Sequence, residues 1–161
     1  MMMYWNGVLE RLDLFAKGSW FIYLIGSILL SLSITTTKNI SRREWLLLFG
    51  MIGFYGWMAN IILFFIFDQM DSGDLSIGGI PDIFMFVIGP AATAILFLNQ
   101  YNTPTKLIRV IFFSMLSFLV EYILGKLGFL KLKGWKPVYS IPFYLLLFGI
   151  VLPWTLKIIR K

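Results

Sequence analysis

Five long apolar stretches, separated by short segments rich in charge, glycine or proline, set the pattern of this chain; they cover residues 18–37, 44–67, 81–100, 105–124 and 138–157. Each holds about 20 residues with few charges, enough to cross a hydrocarbon core of roughly 30 Å at about 1.5 Å of rise per residue. The pattern predicts an all-α fold: a polytopic transmembrane helical bundle of five spans in a single domain, residues 1–161. Ahead of the first stretch, residues 3–17 mix charged and apolar positions. Tyr4, Val8, Leu12 and Phe15 fall on one side at helical spacing, while Glu10, Arg11 and Asp13 fall mainly elsewhere. Two readings fit them, a short helix lying in the membrane interface or an extension of the first span. No small-x-small cleavage site follows the first span, so it reads as a retained helix.

Local signals refine the boundaries. Ser31, Ser33, Thr35, Thr36 and Thr37 crowd the end of the first span; in lipid, such hydroxyls bond carbonyls one turn back. Ser41 with Glu44 three residues on predicts a capping box at the start of the second. Within that span Gly50, Gly53 and Gly56 recur every three residues and lie near Asn60 on one face. Small residues let a neighbouring helix approach, so this predicts a packing face, with a ligand-lined groove as the sharper alternative. Pro81 suits a first helical position. Gly89-Pro90-Ala91-Ala92-Thr93 predicts a kink near Pro90 with close packing beside it. Gly125 and Gly128 are expected to end the fourth span.

Composition supports the membrane reading. The chain is 59% hydrophobic and 14% charged, and its mean hydropathy is +0.84; a soluble domain is about a quarter charged. It has no cysteine and no histidine, which excludes disulfides, thiolate metal sites, Cys nucleophiles and His bases. The acidic loop after the second span carries Asp68, Asp71, Asp74 and Asp82 and no basic residue. Its Asp-x-x-Asp-x-x-Asp spacing is wrong for an EF-hand and lacks the closing Glu, so a solvated loop is expected and no metal or cofactor is assigned.

The net charge is +6, with basic residues flanking the apolar runs. They fit membrane topology and anionic headgroups better than nucleic acid. The expected partner is membrane lipid, with another membrane protein or a second copy of the chain beside it. Five spans place Lys38, Arg42, Arg43, Lys106, Arg109, Lys157, Arg160 and Lys161 on one side with Glu44. The other side carries Arg11, Lys17, Lys126, Lys131, Lys133 and Lys136 with the remaining acids. The rule that counts Lys and Arg makes the first side cytoplasmic and puts the N-terminus outside, in the cell membrane. In either orientation the acidic loop, Asp82, Glu121 and the four loop lysines share a face, and the lysines are expected to neutralise the carboxylates.

Glu121 is the one acid well inside a hydrophobic run, and Ser114, Ser117 and Glu121 form a polar stripe at spacings of three and four. A carboxylate facing lipid is costly, so Glu121 should face the bundle or a wet crevice. The plainer reading is a lock, through Asn60, Tyr122, Tyr139, Trp135 or a loop lysine. The functional reading is a proton or cation site, or a headgroup contact, with Glu121, Asn60, Trp135, Ser117, Ser114 and Asp82 as binding candidates. No residue is nominated as catalytic. The leading expectation is a non-enzymatic membrane component acting through a lipid or protein partner, motivated by the glycine face and the abundant interfacial aromatics. A small-solute or ion transporter using Glu121 and Asn60 is the alternative. A lipid-modifying enzyme is the third reading, and Asp82 with Glu121 is the carboxylate pair it would use, across about 10 Å or less.

From the second span onward the chain resembles a family of small integral membrane proteins common in spore-forming Firmicutes. The points of similarity are Arg43-Glu44-Trp45, Asn60, Pro90, Asn99-Gln100-Tyr101, Glu121, Lys133-Gly134-Trp135 and Ile159-Arg160-Lys161. The resemblance covers about two-thirds of the chain and implies a helical bundle in the cell membrane, in a sporulation or envelope setting, with no established activity. Members tend to have a Tyr-Pro pair and an Arg before the third span, where this chain has its acidic, glycine-rich loop.

Overall fold

The structure is a computed structural model and describes residues 11–73, 79–101 and 104–161. It is an all-α bundle: α1 (Ser19–Thr35), α2 (Arg42–Ile66), α3 (Ile80–Gln100), α4 (Lys106–Leu127) and α5 (Pro137–Ile159). The last four are long and apolar enough to cross a membrane. Side chains such as Phe54, Phe65, Ile108, Phe112 and Ile150 point outward from them, as expected of a membrane-embedded protein whose solvent is lipid.

Helix α1 is shorter than the stretch predicted, at 17 residues or about 25 Å. Gly18 precedes it in the left-handed conformation, φ 81°, and breaks the chain direction there. Residues 12–18 are therefore turns and not an extension of α1; Tyr23 Oη donates to Leu12 O at 2.6 Å and Ser19 Oγ to Leu14 O at 3.0 Å. The part of the predicted interfacial helix before Arg11 lies outside the described residues. At the far end the hydroxyls behave as their chemistry dictates. Thr35, Thr36 and Thr37 donate to the carbonyls of Ser31, Leu32 and Ser33, at 2.7 to 2.9 Å. Ser41 then caps α2 reciprocally with Glu44.

The central helix is α3. Half of its apolar stretch is buried within the protein, against 22% for α2, α4 and α5, and residues 91–99 are buried without a break. Helices α1 and α2 lie against α3, whereas α4 and α5 pair with each other. Small residues permit the close approaches. A side chain at Gly53 would meet Val87 at 2.7 Å, and one at Gly56 would overlap the Phe86 carbonyl oxygen. Gly50 has nothing within 4 Å and takes no part in this contact. The distortion near Pro90 is a π-helical turn, Phe84–Ile88, that widens α3 just before Gly89-Pro90. Pro90 has no N–H for the carbonyl four residues back, which is that of Phe86, and this carbonyl leans onto the bare Cα of Gly56. Helix α5 carries the same device, with Leu147–Val151 ahead of Pro153. Gly125 lies inside α4, and Gly128, at φ 80°, ends it.

The hydrophobic pattern gave no sign of a sheet, yet a small one caps one end of the bundle. Strand β1 (Met70–Ser72) comes from the acidic loop and β2 (Leu130–Leu132) from the lysine loop. They pair antiparallel, Met70 with Leu132, Asp71 with Lys131 and Ser72 with Leu130. Further bonds extend the ladder: Gly73 N donates to Phe129 O and Lys133 N to Gln69 O, each at 2.9 Å. Met70, Phe129 and Leu130 seal an apolar cluster with Ile22 and Leu124 beneath the sheet. A larger cluster around Phe97, Phe113 and Phe148 fills the other half.

Candidate functional site

Glu121 sits near the end of α4, facing the first turns of α5. Ser140 Oγ donates to its Oε1 at 2.6 Å and Tyr144 Oη to its Oε2 at 2.8 Å. Trp135 Nε1 donates to Ser140 Oγ at 2.9 Å, so the indole orients the hydroxyl that holds the carboxylate. Ser140 and Tyr144 lie four apart on one face of α5, the spacing that lets both reach a single carboxylate. The local reason is Pro137, which opens the tight turn Pro137–Tyr139 and starts α5 beside α4. Of the partners expected for Glu121, Trp135 takes part through Ser140; Asn60, Tyr122 and Tyr139 are not bonded to it. Sequence reasoning missed Ser140 and Tyr144, whose i, i+4 spacing was the available signal.

Glu121 is half-buried, and beside it a groove of about 440 Å³ opens. Its walls include Glu121, Gly125, Lys126, Lys131, Leu132 and Pro137. The Lys126 ammonium lies 5.4 Å over the Tyr122 ring, and Lys131 Nζ donates to Gly73 O at 3.1 Å. Glu121, Lys126 and Lys131 thus stand among the residues that line a mostly apolar trough at the rim of the bundle.

The other predicted residues have separate places. Asp82 belongs to the start of α3: Ser72 Oγ donates to its Oδ1 and Gly79 N to its Oδ2, the latter at 2.7 Å. It ties β1 to the helix start and shares no partner with Glu121. Ser114 is fully buried, and its Oγ has no hydrogen-bond partner among the described residues. Ser117 is half-buried one turn from Glu121, and Asn60 is buried in α2.

Acid and base meet beside the strand pair. Lys133 Nζ bridges Asp68 at 2.6 Å and Asp71 at 3.1 Å. The Asp68 carboxylate, with that of Asp71, holds the Lys133 ammonium above the ordinary lysine range. Asp74 lies outside the described residues. Among those described, no three acidic side chains gather closely enough to hold a metal ion.

A second polar cluster, at the opposite end, was not singled out from the sequence as a site. Asn99 Oδ1 accepts from the backbone N–H groups of Lys38 and Asn39, both at 2.8 Å, and its Nδ2 donates to Thr36 O at 3.3 Å. Asn39 Nδ2 returns a bond to Asn99 O at 2.8 Å. Arg160 Nε donates to Glu44 Oε1 at 2.6 Å and its Nη2 to Asn39 O at 2.7 Å, closing α5 onto the start of α2. The signal available was an amide pair, Asn99-Gln100, closing an apolar run, where the helix end leaves polar groups in need of partners.

No protein-family model, curated protein or solved structure matches this chain.

Proposed function

We propose that this membrane protein is a non-enzymatic component that works by holding a lipid at its sheet-capped end. The observation that carries this reading is the open groove beside Glu121, with apolar walls and charged side chains at its rim. Such a trough suits an amphiphile, whose apolar part leaves the bilayer for the wall while its polar part meets the charges. Gly53 and Gly56, the small residues first offered to a protein partner, are taken up by α3 within the chain, which leaves lipid as the better-supported partner. The setting that fits is the cell membrane of a spore-forming bacterium, with the basic end of the bundle in the cytoplasm. Transport through Glu121 draws less support, because both carboxylate oxygens are engaged by Ser140 and Tyr144.

Native mass spectrometry of the protein gently extracted from its own membranes tests the reading. One lipid per chain is expected on the wild type and its loss in Gly125→Leu. A Cβ at Gly125 approaches only Leu130 O, at 4.0 Å, and replacing a helical glycine favours the helix, so the side chain enters from the groove wall; thermal melting checks that the variant stays folded. A lipid retained equally by Gly125→Leu, or a stoichiometric protein partner in its place, would overturn the proposal.

A further inference from the structure

The opposite end of the bundle holds a second groove, of about 400 Å³, whose charged lining residues are all basic. Pro153, Leu156, Lys157, Arg160 and Lys161 come to it from the end of α5. Their spacings of three, one, three and one place them on a single helical face. The other wall is Tyr101, which ends α3 and packs its ring on Phe97 with centroids 5.4 Å apart. Along α5 the face changes character within about 12 Å: proline and leucine come first, then three cations. Ile150, one turn before Pro153, is exposed and continues the apolar part into the span.

These cations are not consumed within the protein. Lys157 and Lys161 are exposed, and their ammonium groups have no partner among the described residues. Arg160 is fixed through Nε to Glu44 and through Nη2 to Asn39 O, which leaves its Nη1 donors over. Glu44 is itself committed, Oε1 to Arg160 and Oε2 to Ser41 N, and among the described residues no acid lines the groove. We propose that this groove docks an anionic phospholipid of the phosphatidylglycerol class. Its phosphate meets Lys157 and Lys161, and the first methylenes of its acyl chains lie on Pro153 and Leu156. A choline or ethanolamine headgroup would bring a cation against three others, whereas a headgroup whose only charge is its phosphate meets no such repulsion. The apolar start of the face favours a lipid over a free anion, which has nothing to bury there. The site is independent of the groove beside Glu121, and either can stand without the other. Exposed ionic contacts are weak, so this lipid exchanges with the bilayer and is shed on extraction into detergent.

The test is therefore made in a membrane. The chain has no cysteine, so Ile158→Cys, at an exposed position beside Lys157, gives a single attachment point for a fluorophore. The whole labelled protein is placed in phosphatidylcholine vesicles. A nitroxide quencher is supplied high on the acyl chain of either phosphatidylglycerol or phosphatidylcholine, at the same low mole fraction, and quenching reads the local enrichment of each. The glycerol lipid is expected to be enriched about fivefold over the choline lipid, the scale of one cation at a charged surface. Lys157→Gln with Lys161→Gln should bring the two to near parity. Arg42→Gln with Arg43→Gln removes as much charge from the same end but outside the groove, and should keep the preference. Thermal melting checks that each variant is folded. Equal quenching by the two lipids in the labelled parent would overturn the proposal. So would a preference that falls as far in the Arg42 and Arg43 variant, which would make the attraction a diffuse field. Relief of quenching by inorganic phosphate, against chloride at matched ionic strength, would also overturn it, by making the site one for a soluble anion.

Discussion

At the sheet-capped end, charge is matched locally. Lys133 sits between Asp68 and Asp71, Asp71 faces Lys131 across the strand pair, and Glu121 is held by neutral hydroxyls. The opposite end carries Lys38, Arg42, Arg43, Lys106, Arg109, Lys157, Arg160 and Lys161 against Glu44. Order there comes chiefly from a neutral amide, Asn99, which stitches the α1–α2 connection to the end of α3. The difference teaches a division of labour. A surplus of one sign cannot be satisfied within the protein, so uncharged groups set the geometry. Where the signs balance, ion pairs border a strand pair that Met70, Phe129 and Leu130 seal from beneath.

The comparison breaks most readily at Asn99. Asn99→Ala removes the acceptor of two backbone N–H groups and the donor to Thr36, and should destabilise the protein by about 3 kcal/mol. Chemical denaturation in detergent measures this, and a loss confined to a few tenths would mean that the cations, not the amide, order that end. Glu121→Ala should cost on the order of 2 kcal/mol by leaving Ser140 and Tyr144 without their acceptor. Its expected signature is an altered Trp135 emission with the basic end undisturbed.

The smallest effect should come from Lys133. Its raised value means that the contribution of the Asp68 and Asp71 contacts is fully present below the ordinary lysine value and is lost as pH rises through the folded one. An alkaline step in Trp135 fluorescence, abolished in Lys133→Gln, is the expected result; a step of unchanged size in that variant would assign it elsewhere. The lysine is well exposed, so global stability should barely move.

Only part of the candidate site could be read in advance. Glu121 stood out because a carboxylate in an apolar helix demands partners, and Trp135 was among those expected. Ser140 and Tyr144 look ordinary within α5, since nothing in their own segment says that the turn after Pro137 will aim them at α4. The glycine triplet was legible as a packing face, yet which members pack depends on where α3 lies. Gly53 and Gly56 meet it, and Gly50 does not.

The sequence by itself determined the class: a membrane-embedded helical bundle with one cation-rich end. Apolar length, charge placement and caps act over one or two helical turns, and the bilayer imposes the rest, because backbone in lipid must satisfy itself within helices. Tertiary structure alone decided the centrality of α3, the strand pair joining two loops far apart in the chain, and the meeting of Glu121 with Ser140 and Tyr144 beside a groove. These depend on which helix faces lie against one another, and in lipid that choice is made by close packing and by polar groups seeking partners rather than by a hydrophobic pattern legible along one strand of text.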